Sequence, residues 1–91
     1  MNLEKFIKQI NEVDEYLTIY LKGKLSIDSE VFLYHNQDHK IDPIMKDDEQ
    51  YLYLIEVFIA KDFIDDYVNS FFNPNDEKLA QRLLDYAIND A

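Results

Sequence analysis

The two histidines of the chain, His35 and His39, have the spacing that metal-binding helices use. Residues i and i+4 lie on one face of a helix, so both imidazoles could bind one metal ion, and Asp38 and Asp42 could add carboxylate oxygens. Pro43 and the lack of an apolar stripe disfavour a helix here, and the sequence offers no third nitrogen or sulfur ligand. We therefore expect exposed loop histidines, no metal site and no cofactor.

The other reactive side chains form no recognisable catalytic motif. The chain has no cysteine and hence no thiol nucleophile, and no motif brings a histidine near Ser26, Ser29 or Ser70. With nineteen acids, neighbouring carboxylates are expected by chance. The single glycine excludes glycine-rich phosphate-binding loops, and the acidic loop lacks the glycine that an EF-hand requires. We therefore expect a protein that is not an enzyme.

The acidic residues are unevenly distributed along the chain. The net charge is −10, and residues 47–91 hold eleven of the nineteen acids but only three bases. Such a pattern is typical of a solvated surface that keeps a small protein dissolved, and also of a docking surface for a basic partner, with metal or polyamine binding as a less favoured third interpretation. For the docking surface, the candidate partner-binding residues are Asp47, Asp48, Glu49, Tyr51, Tyr53, Asp62, Asp65 and Asp66.

Hydrophobic periodicity predicts the elements that position these residues. The predicted elements are a helix over 3–13, strands over 15–22 and 25–34 that form a hairpin around Gly23, a long loop over 35–49, a third strand over 50–58, a helix over 59–72, and a last helix after Pro74. The expected fold class is α+β, with a three-stranded antiparallel sheet, helices packed on it and the order α-β-β-β-α-α. At 91 residues, the chain is long enough for a single domain over 1–91.

Nine of the thirteen aromatic residues fall into two predicted groups. Those at helical spacing are expected in the core, namely Phe63, Tyr67, Phe71 and Phe72. Tyrosines on the other face of the strands are expected to be more exposed, namely Tyr16, Tyr20, Tyr34, Tyr51 and Tyr53. Tyrosine is favoured in interfaces because it combines a large area with a hydroxyl group, so Tyr51 and Tyr53 are candidate anchors.

Composition also limits the compartment and the class of partner. Charges interrupt each apolar run at the start of the chain, so no signal peptide is expected, and no run approaches the 18 apolar residues of a membrane span. A cytoplasmic protein, monomeric or weakly dimeric, is therefore expected. The pI near 4.3 argues against direct nucleic-acid binding and against an anionic membrane surface, because both would repel the chain.

In overall character the chain resembles the small immunity proteins of bacterial toxin–immunity pairs, including those paired with contact-dependent growth-inhibition toxins and with bacteriocin nucleases. The shared features are a single cysteine-free domain, an acidic pI, tyrosines among surface acids and no catalytic motif. The resemblance implies a cognate toxin domain, often a basic nuclease, which is bound in the cytoplasm over its active site or beside it. The resemblance includes no shared motif, so it assigns no role to any individual residue of this chain.

Two other functions remain open from the sequence. A nucleic-acid mimic of the anti-restriction or anti-CRISPR kind would use an array of carboxylates in place of phosphates, although such mimics are usually more uniformly acidic than this chain. The second open function is that of an adaptor protein that antagonises no other protein. Mimicry predicts competition with DNA or RNA for many binding proteins, whereas immunity predicts one cognate partner.

Overall fold

In the computed structural model, which describes residues 1–36, 41–70 and 75–90, four antiparallel strands form the centre of the fold. The strands are β1 (Thr18–Lys22), β2 (Val31–Tyr34), β3 (Ile44–Lys46) and β4 (Glu49–Glu56). Their spatial order is β2-β1-β4-β3, so β1 and β4 are the inner strands. Three helices complete the described chain, namely α1 (Leu3–Ile7), α2 (Val57–Ser70) and α3 (Asp76–Asp90), with a 3-10 turn over Ile10–Glu12.

The α+β class and the antiparallel pairing are confirmed, but the prediction of three strands is wrong. β3 lies within the segment 35–49 that was expected to be a loop, so the order is α-β-β-β-β-α-α. Its three residues are too few to show an alternating pattern. The turn that joins β3 to β4 consists of Asp47 and Asp48, and neither residue is a glycine that would mark a hairpin in the sequence.

Two other predicted elements are shorter in the structure. The first helix ends at Ile7 rather than near residue 13, and the 3-10 turn that follows keeps Ile10 in the core. The strand predicted over 25–34 is β2, which begins only at Val31 because residues 23–29 form turns and bends and Glu30 forms an isolated bridge with Asn2. β1 and β2 nevertheless pair in antiparallel register, with Ile19 opposite Leu33.

The hydrophobic core lies between one face of the sheet and the helices. Successive strand residues point to opposite faces, so Ile19 and Leu21 of β1 face the helices together with Ile55 of β4. α3 contributes one apolar stripe at helical spacing, made of Leu79, Ala80, Leu83, Leu84 and Ala87. The Asn75 side chain accepts a hydrogen bond from the Lys78 amide at 2.7 Å and so caps the start of this helix.

β4 continues into α2 without a loop, and this junction fixes where the helix surface points. The strand ends at Glu56 and the helix begins at Val57, whose amide donates a hydrogen bond to the Leu17 carbonyl at 2.9 Å. The predicted strand extended to residue 58. Phe58 is therefore a helical residue and not a strand residue.

The Asp47-Asp48 turn supplies a first testable prediction. Both residues have positive φ, 52° and 65°, as a two-residue hairpin turn of type I′ requires. Replacing the pair by asparagine and glycine (Asp47→Asn with Asp48→Gly) should raise the free energy of unfolding by about 0.5–1 kcal/mol, because these residues adopt positive φ at lower cost. Urea denaturation followed by circular dichroism measures the change.

The control is Asp48→Ala, which removes the same carboxylate but adopts positive φ poorly. Asp48→Ala should lower the free energy of unfolding, whereas the single substitution Asp48→Gly, which removes the same carboxylate, should not. Equal destabilisation by Asp48→Gly and Asp48→Ala would mean that the hairpin depends on the carboxylate and not on the backbone conformation.

Candidate functional site

The eight candidate partner-binding residues lie in three places in the structure. Asp47, Asp48 and Glu49 lie at the β3–β4 turn, Tyr51 and Tyr53 lie on the sheet face that points away from the helices, and Asp62, Asp65 and Asp66 lie on α2. The sequence could not show that these are separate surfaces, and each surface has a different chemistry.

The acidic helix surface consists of Phe58, Asp62, Asp65 and Asp66 on the exposed side of α2. The opposite side of the same helix is anchored in the core through Val57, Ala60 and Ile64. Residues three and four apart on a helix have Cβ atoms about 5–6 Å apart, so Asp62 is a neighbour of both other aspartates. The prediction that the three carboxylates share an exposed helix side is confirmed.

The carboxylates of this surface form no ion pair with the lysines that the structure describes. Within residues 1–36, 41–70 and 75–90, ion pairs join Lys8 to Asp76 at 3.6 Å and Lys22 to Glu30 and to Glu49 at 4.0 Å each, and none involves α2. Lys61 lies on α2 next to Asp62, but its Nζ donates a hydrogen bond to the Val13 carbonyl at 2.7 Å. The acidic helix surface therefore presents its negative charge to solvent.

Phe58 is a member of this surface that the sequence reasoning missed. Its side chain is 46% exposed, and it lies one helical turn before Asp62. Sequence periodicity assigned it to the preceding strand, where an apolar residue is expected. Positions 58, 62, 65 and 69 have helical spacing. A predicted helix that began at residue 57 rather than 59 would have placed Phe58 on the same side as the carboxylates. The surface thus combines an apolar ring with three carboxylates.

The hairpin turn carries less free charge than the sequence suggests. Asp47 and Asp48 are exposed at the tip. Glu49, the third predicted charge partner, lies opposite Lys46 in the β3–β4 ladder and forms the 4.0 Å ion pair with Lys22. Its charge is therefore partly compensated within the protein.

The aromatic sheet face consists of Tyr20, Phe32, Tyr34, Tyr51 and Tyr53, which lie on the side of the sheet opposite the helices. Tyr20 makes edge-on contacts with Phe32, Tyr34 and Tyr53, at centroid distances of 6.4, 6.1 and 5.9 Å. Phe32 also lies 4.7 Å from Tyr51, centroid to centroid. Rings from three different strands thus form one continuous cluster.

Exposure within the predicted tyrosine set varies more than expected. Tyr16 and Tyr34 are 73% and 46% exposed, as predicted. Tyr51 and Tyr53 are half-buried within the cluster. The prediction for Tyr20 is wrong, because its side chain is only 1% exposed beneath the neighbouring rings.

Burial changes the acidity of two hydroxyls in this cluster. Burial raises the pKa of Tyr20 above 10.0, and the nearby Tyr53 and Tyr34 add to the increase, while a hydrogen bond that Asn36 Nδ2 donates to its hydroxyl at 3.1 Å partly opposes it. Burial and the carboxylate of Glu56 likewise raise the pKa of Tyr53. Both hydroxyls are therefore neutral at physiological pH.

The raised pKa of Tyr20 predicts a loss of stability in alkali. A folded-state pKa above the unfolded value of 10.0 means that its stabilising contribution is complete below pH 10 and is lost as the pH rises through the folded-state pKa. We expect the free energy of unfolding to fall as the pH rises above 10 and to fall less steeply in Tyr20→Phe. Urea denaturation at each pH measures both slopes, and Tyr16→Phe, at a 73% exposed side chain, is the control that should keep the wild-type slope. A Tyr20→Phe slope equal to that of the wild type would contradict the assignment.

The structure places the remaining predicted residues as follows. His35 and Asp42 are exposed, whereas His39 and Asp38 lie outside the described residues. In the described part of the chain, no three His, Cys, Asp or Glu side chains are grouped so that they could hold a metal ion. Phe63 and Tyr67 pack against the core, and Phe71 and Phe72 lie outside the described residues.

Two further findings bear on the class of protein. None of the described helices is long and apolar enough to cross a membrane. A shallow recess of about 320 Å³ lies beside the start of α3 and is lined by Ile27 and by Asn75, Glu77, Lys78 and Gln81. No family model, curated protein or solved structure matches the chain, so its function has to be inferred from its own surfaces.

Proposed function

We propose that this protein is an immunity protein that acts in the cytoplasm by binding and neutralising a basic toxin domain, with a nuclease as the expected class of toxin. The observation that carries the proposal is the acidic helix surface, where Asp62, Asp65 and Asp66 are exposed and take part in none of the ion pairs of the described residues. Neighbouring like charges on a helix cost about 0.2–0.5 kcal/mol per pair. A partner's cations would relieve that cost.

Charge complementarity explains why such a surface suits a protective protein. Opposite charges steer diffusional encounter and raise association rate constants to about 10⁸–10⁹ M⁻¹s⁻¹ at low salt. A toxin domain must be intercepted before it reaches its substrate, so a fast encounter is useful. The net charge of −10 extends the same attraction beyond the contact residues.

Phe58 supplies the apolar contact that charge alone does not. Charged contacts at the rim of an interface contribute mainly to rate and specificity, whereas affinity comes from a few buried anchors, which are often aromatic. Phe58 is 46% exposed, one helical turn before Asp62, and so has area left to bury in a complex. A standard interface buries about 1,600 Å² in total and uses about 20–30 residues a side. The hairpin turn and Tyr51 and Tyr53 are therefore proposed as further contact residues.

Protection of cells tests the proposal directly. The chain is expressed together with the toxic domain encoded next to its own gene, and survival is compared with that of cells that lack the chain. We expect protection, and we expect protection to decrease when Asp62, Asp65 and Asp66 are all replaced by asparagine, which keeps the helix shape and removes the charge. Replacement of Asp28 and Asp85, which are exposed elsewhere, by asparagine is the control and should keep protection.

Two outcomes would overturn the proposal. The first is the absence of both protection and complex formation with the neighbouring gene product. The second is displacement of several unrelated DNA-binding proteins from DNA by the purified chain, which would identify it as a nucleic-acid mimic.

A further inference from the structure

The rings of the aromatic sheet face are partly exposed on the side opposite the helices, because Phe32, Tyr51 and Tyr53 are half-buried and Tyr34 is exposed. Its outermost ring, Tyr34, is 46% exposed and stacks beside Phe32 at 6.3 Å between centroids, with an interplanar angle of 23°. Tyr20 lies buried beneath these rings and supports them through its edge-on contacts. The rings are therefore held in place by the sheet before any partner binds, which lowers the entropy cost of binding.

One cation already lies on this face. Lys46, on the edge strand β3, extends over the ring of Phe32 on the opposite edge strand β2, with Nζ 5.2 Å from the ring centroid. A cation within about 6 Å of a ring centroid is attracted by the negative face of the ring. The chain's own lysine thus shows which kind of group this face accepts.

Acidic residues surround the rings. Along the strands, the positions that share this face include Glu30 before β2, Glu49 at the start of β4 and Glu56 at its end. Asp42 lies close enough to act electrostatically on the Tyr20 hydroxyl. Among the described residues, the lysines of this face are Lys22 and Lys46, and Lys22 lies 4.0 Å from both Glu30 and Glu49 and compensates part of their charge. A cationic side chain is therefore attracted both by the rings and by their surroundings, whereas a phosphate group is repelled.

We propose that the aromatic sheet face is a second docking surface, which binds arginine or lysine side chains of the basic toxin domain over the rings of Phe32, Tyr34 and Tyr51. The proposal rests on the proposed function for the identity of the partner. It extends the contact proposed for Tyr51 and Tyr53 to Phe32 and Tyr34, and it names cationic side chains as the groups that the face binds. Lys46 occupies part of this surface in the free protein and leaves the Phe32 ring when the partner's cation binds.

A peptide titration tests the proposal without the toxin. The probe is an acetylated peptide of four Gly-Arg repeats, followed through the ring resonances of the aromatic sheet face and the amide resonances of α2. We expect the rings of Phe32, Tyr34 and Tyr51 to shift with the arginine peptide and not with the same peptide made with citrulline, which has a similar shape and no charge. Phe32→Leu should weaken binding at this face about two- to fivefold, whereas Phe58→Leu should leave it unchanged.

Removal of the resident cation provides a second, opposite test. Lys46→Ala should strengthen binding at the rings by about two- to fivefold, because the peptide no longer displaces the lysine from Phe32. Lys24→Ala, at an exposed lysine in the β1–β2 connection, makes the same change in net charge and should strengthen binding less. Equal effects of the two substitutions would mean that only net charge matters and would overturn the proposal.

The outcomes separate the two proposals. Shifts confined to α2 would overturn the sheet-face proposal and leave the proposed function in place. Shifts at the rings together with a failure to protect cells would overturn the proposed function and leave cation binding at the sheet face in place. Three other outcomes would also overturn the sheet-face proposal. Equal shifts with the citrulline peptide would indicate an uncharged ligand, and shifts with an oligosaccharide alone would indicate a sugar. Ring shifts that grow with protein concentration in the absence of peptide would indicate a second copy of the chain.

Discussion

Replacing Asp62 and Asp65 by lysine is expected to lower the association rate constant with the basic toxin domain by about tenfold or more at low ionic strength. The double substitution changes the net charge from −10 by four positive units. Both charge reversals lie within one turn of α2. Both side chains are exposed, so the substitutions leave the core intact. Stopped-flow mixing with the domain identified in the protection experiment measures the rate.

Salt distinguishes steering from the loss of a specific contact. The Debye length is about 10 Å at 0.1 M salt and about 3 Å at 1 M, so the difference between variant and wild type should nearly disappear in 1 M salt if the carboxylates act by steering. Asp28→Lys with Asp85→Lys makes the same change in net charge at exposed sites outside the acidic helix surface, and it should slow association less. Equal slowing by the two double variants would mean that net charge alone, and not this surface, governs encounter.

The parts of the fold that could be predicted are those with a regular local pattern. The apolar stripes of α2 and α3 and the alternation in β1 each repeat over several residues, so the sequence shows which side of each element is buried. The carboxylates of α2 were placed on the exposed side for the same reason. Local periodicity is sufficient for these features because it depends on the geometry of a single element.

The parts that could not be predicted depend on contacts between elements. β3 has three residues and becomes a strand only because Asp47 and Asp48 adopt positive φ and bring it beside β4. An irregularity in the β1–β4 register lies between Ile19 and Tyr20, where Ile55 and then Tyr53 are the partners, so Leu54 and Ile55 are both buried. No alternation in a single strand predicts this.

The burial of Tyr20 has the same origin. The alternation of β1 correctly places Tyr20 on the face away from the helices, which in a two-layer protein is normally exposed. It is buried because Phe32, Tyr34 and Tyr53 come from two other strands and cover it. The sheet therefore has apolar packing on both faces, a helix-covered core on one side and the aromatic sheet face on the other.

This second layer of packing predicts a large effect for Tyr20→Ala. Truncating a buried aromatic side chain to alanine typically costs about 3–5 kcal/mol, because the contacts are lost and the cavity is only partly refilled. Tyr20 is 1% exposed, and three rings rest against it. A chain of 91 residues has a small margin of stability, so we expect the variant to be largely unfolded near body temperature in circular dichroism and thermal denaturation.

Tyr20→Phe separates the ring from the hydroxyl. It keeps the edge-on ring contacts and removes only the hydrogen bond from Asn36, so it should cost about 1 kcal/mol and leave the fold intact. Tyr16→Ala, at a 73% exposed side chain, should change stability by less than about 0.5 kcal/mol. If Tyr20→Ala proved as stable as Tyr16→Ala, the rings would not act as a second core, and Phe32, Tyr34 and Tyr51 would lack the rigid support on which docking at the aromatic sheet face depends.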